Sequence, residues 1–165
     1  MELKNIVAAI DVNDDLAEAV ILTAESLARR DDAALFVVGA WPPLSDVTPA
    51  YAADLAPTAV AVSEAALELD KKNRAAAEKK LKELTQKLAK DAQVMMFDGE
   101  PESVVTEIAK QTGADVIVSG SHQKGFWGSL FSGGSSRTLV HEAPCGVFLV
   151  TKPFAEKVIA SAKKK

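Results

Sequence analysis

Gly120, Gly133, Gly134, Ser135 and Ser136 are the residues whose types and spacing point most directly to chemistry. They fall in the stretch from Val116 to Val150, VIVSGSHQKGFWGSLFSGGSSRTLVHEAPCGVFLV. An apolar β-branched run stops at Gly120, a loop rich in Gly and Ser follows, and a short amphipathic stretch leads to a second apolar run. A strand that ends in small residues and feeds a helix start can aim several backbone N–H groups at one point, which is how proteins hold phosphates. On this reading Gly120 lets the chain turn sharply at the strand end and lets a ligand approach the backbone. Gly133, Gly134, Ser135 and Ser136 form the turn into a helix, where N–H groups, hydroxyls and the helix dipole together suit a triphosphate. Lys124 and Arg137 carry charge that could neutralise phosphate, although a solvated surface is the commoner place for such side chains.

These residues need a scaffold, and the remaining pattern supplies one. Ile6 to Ile10 reads as a first strand, and Leu16 to Arg30 carries apolar residues at helical spacing, with Asn13-Asp14-Asp15 before it as N-cap chemistry. Leu35 to Ala40 reads as a second strand, ended by Trp41-Pro42-Pro43, and residues 44–58 show no period and read as a loop or flap. Ala59 to Lys90 is a long helical pattern with Leu67, Leu81, Leu84 and Leu88 on its apolar positions. Gln93 to Phe97 is a third strand, Glu102 to Gln111 a helix closed by Gly113, and Val116 to Val118 a fourth strand, apolar throughout as a central parallel strand should be. Gly134 to His141 reads as a short helix, Val147 to Val150 as a fifth strand and Phe154 to Ala162 as a terminal helix. Strict alternation of strand and helix implies parallel strands, right-handed crossovers and helices on both faces. Ligands of such sheets bind beyond the carboxyl ends of the strands where the strand order reverses, which would bring together Asp11, Ala40 and the loop from Gly120 onward.

Bulk properties narrow the class. The chain has 165 residues, enough for one domain with a full core, and its 25% charged and 48% apolar composition is that of a globular protein. A formal net charge of −4 leaves no basic field for nucleic acid, and Lys163-Lys164-Lys165 reads as a solvated tail. The sequence holds no run approaching the roughly 20 apolar residues of a membrane span, and MELKNIVAAI has no secretory signature. The single cysteine, Cys145, fits a reducing cytoplasm and reads as a small buried residue rather than a nucleophile. Cys145, His122 and His141 have no metal-ligand spacing. His122 has no acidic partner visible in sequence, His141 suits a helix end, and Phe126 and Trp127 either cover a ligand or pack on the sheet.

The opening LKNIVAAIDVNDDLAEAVILTAESLARR, the segment DGEPESVVTEIAKQTGADVIVSGSH and the closing HEAPCGVFLV resemble the universal stress protein family over nearly the whole chain. The resemblance implies a three-layer α/β/α fold with a five-stranded, mostly parallel sheet of Rossmann-like, adenine nucleotide alpha hydrolase-like topology. It implies one domain over residues 1–152 and a helical tail over 153–165. Nucleotide-binding members carry Gly-x2-Gly-x9-Gly followed by Ser or Thr. Here the register gives Gly120, then Gln123 at the second glycine, then Gly133, then Gly134 at the hydroxyl position, so the spacing survives with two departures. Ser135 or Ser136 would replace the missing hydroxyl, whereas the Gln123 side chain would occupy space that phosphates need. By the same resemblance Asp11, with Val12 beside it, would face the ribose or adenine, and Ala40 would offer backbone groups to the adenine edge. The implied nucleotide site is therefore Asp11, Val12, Ala40, Gly120, Gln123, Lys124, Gly133, Gly134, Ser135 and Ser136, and the implied ligand is ATP or a related adenine nucleotide, with or without Mg2+. A homodimer through the last strand, Gly146 to Thr151, is also implied.

Three other readings compete. A receiver domain would use Asp11, Asp14, Asp15, Asp98, Ser119 and Lys152, but the second helix is too long for one and leaves the Gly/Ser loop without purpose. An ATP pyrophosphatase would carry its Ser-Gly-Gly loop after the first strand, not before the last helix. A nucleotide-free stress protein acting as a homodimer on an unidentified protein partner is favoured by Gln123 and Gly134. No base is paired with a nucleophile and no carboxylate cluster suits Mg2+, so the expected role is cytoplasmic sensing or regulation, with at most slow ATP hydrolysis.

Overall fold

The computed structural model describes residues 2–43, 56–121 and 143–164, with residues 56–63 described by their backbone alone. Five strands alternate with helices: β1 (Asn5–Ile10), α1 (Ala17–Asp31), β2 (Ala34–Trp41), α2 (Ala56–Leu88), β3 (Gln93–Asp98), α3 (Pro101–Thr112), β4 (Val116–Gly120), β5 (Gly146–Val150) and α4 (Lys152–Ala162). The strands form one sheet in the order β3-β2-β1-β4-β5, and every pairing is parallel rather than mostly so. β1 lies at the centre, so both of its faces must be apolar, and Ile6 to Ile10 are all buried.

Alternation along the strands sorts the core into two layers. Ile6, Ala8, Ile10, Leu35, Val37 and Val118 pack with α1, α2 and α4. Val7, Ala9, Val38 and Ile117 pack on the other face against Val105, Ile108 and Ala109 of α3. The two crossovers that leave β1 toward β2 and β3 thus put their helices on one face, and the crossover that returns to β4 uses the other. This is the arrangement that right-handed connections impose when strand order reverses.

Local chemistry sets the element boundaries. α1 starts at Ala17 because Asp14 Oδ1 accepts the N–H of Leu16 (2.9 Å) and the Asp14 carbonyl accepts that of Ala17 (3.1 Å). The acidic cluster therefore folds a turn one residue ahead of the helix, and Leu16 at the cap position carries no side-chain cap bond. α3 opens on Pro101 and closes on Gly113, whose φ of 60° is the left-handed conformation that glycine adopts without strain. α2 begins at Ala56, so the last residues of the expected 44–58 loop are helical, while 44–55 lie outside the described residues. Leu81 is fully buried and Leu84 and Leu88 are half-buried, but Leu67 is 47% exposed. With 33 residues at about 1.5 Å each, α2 is longer than the strands it covers, and Leu67 belongs to the overhang. The expected helix Gly134 to His141 lies outside the described residues.

Close packing of α2 depends on Gly39. A Cβ there would stand 2.8 Å from Met96 Sδ and 2.9 Å from Leu81 Cδ2. Gly39→Val is expected to lower the free energy of unfolding by about 1–3 kcal/mol through overpacking, measured by urea denaturation. Wild-type stability in that variant would show that α2 shifts without cost.

The amino ends of the strands are pinned by Asp115, whose Oδ2 accepts the N–H groups of Asn5 (2.9 Å) and Lys4 (2.6 Å). These bonds hold its carboxyl below the usual carboxylate range. A depressed folded-state value means that the stabilisation is present above the unfolded value near pH 4 and is lost as pH falls through the folded value. Thermal unfolding followed from pH 7 to pH 2 should show a midpoint falling below about pH 4. Asp115→Asn should start lower at neutral pH and fall less steeply, and an unchanged slope would remove Asp115 from this role.

Candidate functional site

The strand order reverses between β1 and β4, and a cleft opens there at the carboxyl ends of both strands. Asp11, Asp14, Leu16, Ser119 and Gly120 line it, and it is a shallow, open cleft with a cavity volume of about 10 Å³. Its floor is apolar, from Ala9, Ile10 and Val20, and its rim is polar. An apolar floor with a few convergent polar groups is the usual composition of a small-molecule site.

The loop after β1 is shaped by its own carboxylates. Asp11 Oδ1 accepts the N–H of Asn13 (2.9 Å), and the Asp11 carbonyl accepts that of Asp14 (3.1 Å). Asp11 thus caps a tight turn rather than the helix, and its carboxylate stays exposed at the rim. Val12 does not share this position. It is 7% exposed and packs in the α1-side core, so its side chain does not face the cleft.

Gly120 has a structural reason different from the expected one. Its φ is not in the left-handed region, so no sharp glycine turn occurs at the end of β4. A Cβ at Gly120 would instead lie 3.3 Å from Leu16 Cβ and 3.5 Å from Asp14 Oδ2. The residue is small because the β1–α1 loop closes down on it. The next residue, Ser121, donates its N–H to the Val150 carbonyl (2.9 Å), which fixes the end of β4 against β5.

Ala40 lies along the same rim, one residue beyond the paired positions Ile10 and Gly39. Its neighbour Trp41 turns to the opposite face and donates from Nε1 to Asp70 Oδ1 of α2 (2.9 Å). The structure therefore brings Asp11, Ala40 and Gly120 to one edge. Gln123, Lys124, Gly133, Gly134, Ser135 and Ser136 lie outside the described residues, as do His122, Phe126, Trp127, Arg137 and His141.

Two residues at this edge carried little weight in the sequence. Ser119 is 1% exposed and lines the cleft, and its place one residue before the strand end was the available signal. Lys152 Nζ lies 3.8 Å from Asp15 Oδ2 and brings a cation beside the acidic β1–α1 loop. Its signal was the Thr151-Lys152 pair directly after the last strand. Both residues belong to the set that a receiver domain would need, but Asp98 does not join them. It ends β3, two strands away from β1, and pairs with Arg74 through Oδ1 and Oδ2 (2.5 and 3.3 Å). A receiver places its third strand beside the first, so this sheet order separates the carboxylates that such a site requires. Among the described residues no group of three or more His, Cys, Asp or Glu is arranged to hold a metal ion. Cys145 is half-buried beside β5, and burial pushes its thiol upward, away from the thiolate form. No described helix is long and apolar enough to cross a membrane.

Comparison with known proteins agrees with this architecture. A universal stress protein of Thermus aquaticus, encoded in the 3' region of a QAH/OAS sulfhydrylase, is 34% identical over 147 residues, covering 89% of this chain and 98% of that protein. A universal stress protein solved in complex with cAMP superposes with a TM-score of 0.54 at 19% identity, over 91% of this chain and 98% of that one. A hypothetical protein whose biochemical function was assigned from its structure superposes with a TM-score of 0.66 at 17% identity, over 92% of this chain and 98% of that one. These structural likenesses establish the Rossmann-like α/β fold. The sequence pattern of the universal stress protein family matches residues 2–151, and with the Thermus aquaticus relative it shows that this chain belongs to that family.

Proposed function

We propose that this chain binds an adenine nucleotide across the carboxyl edge of its sheet and acts as a cytoplasmic sensor or regulator of a stress response. The observation that carries this reading is the cleft at the strand-order reversal, with Asp11 and Gly120 on its two sides and Ala40 further along the rim. The cAMP complex of a structural neighbour supports an adenine ligand for this fold. ATP, with or without Mg2+, is the ligand that the spacing of Gly120, Gly133, Gly134, Ser135 and Ser136 suits.

Calorimetric titration of ATP into nucleotide-stripped protein tests the proposal. The expected result is micromolar binding that Gly120→Val weakens roughly tenfold or more, because its side chain would push Leu16 and Asp14 and distort the Asp11 turn. Gly133→Val should abolish binding if the phosphates rest on the Gly/Ser loop. No binding at millimolar ATP would reject the nucleotide reading and leave Gln123 as the residue that closes the site.

The second reading is a homodimeric interaction module that needs no nucleotide. It is favoured by β5, which ends the sheet and pairs on one side only, with β4, among the described residues. An apolar edge strand invites pairing with a second copy through Gly146 to Thr151. α4 does not extend the sheet, since it packs on α1 through Ala155 and Ile159 and sets Phe154 against Phe148 with ring centroids 5.6 Å apart. Sedimentation equilibrium should give a dimer, both with and without nucleotide. A monomer would reject pairing through β5.

A further inference from the structure

α4 lies beyond the residues 2–151 that the family pattern matches, so that pattern does not account for it. Its sequence, KPFAEKVIASA, carries two apolar stripes side by side. Ala155 and Ile159, four residues apart, form the inner stripe. Ala155 is buried and Ile159 half-buried, in the core layer that also holds Val118 of β4 and Phe148 and Val150 of β5. Phe154, Val158 and Ala162, again four apart, form the outer stripe. This one is left open, with Phe154 38% exposed, Val158 half-buried and Ala162 exposed.

The outer stripe continues onto the edge of the sheet. The Phe154 ring packs on that of Phe148, with centroids 5.6 Å apart and planes tilted by 56°. Phe148 is the middle residue of β5 (Gly146–Val150), which pairs on one side only among the described residues. α4 runs back along β5 at about 1.5 Å per residue, whereas the strand advances about 3.3 Å per residue. Val158 is therefore roughly level with Phe148, the one counted forward and the other backward from Thr151. Stripe and strand edge thus form one apolar surface centred on the middle of β5.

The size of this surface matters. β5 has 5 residues, whereas a stable dimer uses about 20–30 residues from each partner. Strand pairing alone is too small, and the surface beside β5 must contribute. Antiparallel pairing of two β5 edges requires a two-fold axis perpendicular to the sheet, which keeps the same face upward in both copies. The two α4 helices then lie on that face, side by side and antiparallel. Seated over the β4–β5 pairs, they stand two strand spacings apart, roughly 10 Å, which is the separation of packed helices. We propose that the Phe154–Val158–Ala162 stripe of α4 is a contact surface for a second copy of this chain, and that it packs on its own symmetry mate above the paired β5 strands. This inference rests on the dimer reading above and adds to it an element from outside the family pattern.

The test uses the full chain. Sedimentation equilibrium is run on wild type, Phe154→Glu and Val158→Glu. In parallel, cysteine is placed in turn at Phe154, Val158 and Ala162 in a Cys145→Ser background and the proteins are oxidised. The expected result is a wild-type dimer whose dissociation constant rises roughly thirtyfold or more in each glutamate variant, the range of one lost interface anchor. At least one of the three cysteines should join two copies by a disulfide, a readout that does not depend on the stability of the glutamate variants. A wild-type dimer with unchanged dissociation constants in both variants would overturn the role of α4, leave pairing through β5 standing and assign the stripe to a different occupant. A wild-type dimer in which none of the three cysteines links two copies would overturn it in the same way. A wild-type monomer would overturn both readings.

Discussion

The handedness of parallel crossovers, applied in both directions from β1, governs the rest of this molecule. β2 and β3 are laid down on one side of β1 with α1 and α2 on one face, and β4 is laid down on the other side with α3 on the opposite face. The strand order thus reverses beside β1, and a cleft opens at the carboxyl ends of β1 and β4. Asp11, Asp14, Ser119 and Gly120 are at this cleft because of topology before they are there because of chemistry. The same constraint makes β1 apolar on both faces, since any polar residue between Ile6 and Ile10 would be buried without a partner.

Much of this was legible in the sequence because the elements follow local rules. The β-branched runs at Ile6, Leu35 and Val116 became strands within a residue or two, and Gly113 became the helix cap that its φ requires. What escaped the sequence depends on contacts between elements. Leu67 has the right spacing for a buried face, yet it is exposed, because periodicity describes a helix and not the extent of the sheet beneath it. Asp14 looked like a cap and instead ended a turn one residue earlier, a distinction that rests on which N–H its carboxylate reaches. Gly120 was read for backbone freedom, but Leu16 is the reason for its size, and only the fold brings that neighbour to it.

Distance along the sheet likewise decided between functional readings that composition left open. The carboxylates Asp11 and Asp98 both end strands, and a sequence cannot say whether one strand or none stands between them. The order β3-β2-β1 inserts β2, and Asp98 then serves α2 through Arg74 rather than the cleft. Phe97, next to it in sequence, faces the other way by strand alternation alone. One pleat thus separates an ion pair on the α2 face from an exposed aromatic on the α3 face, which is why neither placement shows in a motif.

The acidic loop after β1 also constrains how any nucleotide can lie. In many doubly wound folds the first helix offers its N-terminal N–H groups to a phosphate. Here the Asp14 carbonyl takes the N–H of Ala17, its carboxylate takes that of Leu16, and Glu18 adds a further negative charge in the first turn. A phosphate at this helix would displace groups of the chain itself and meet like charge, at a loss on both counts. Hydroxyl groups suffer no such penalty, since a carboxylate such as Asp11 accepts hydrogen bonds from them. The electrostatics of α1 therefore disfavour a phosphate at this helix start and leave the exposed Asp11 carboxylate suited to hydroxyl donors.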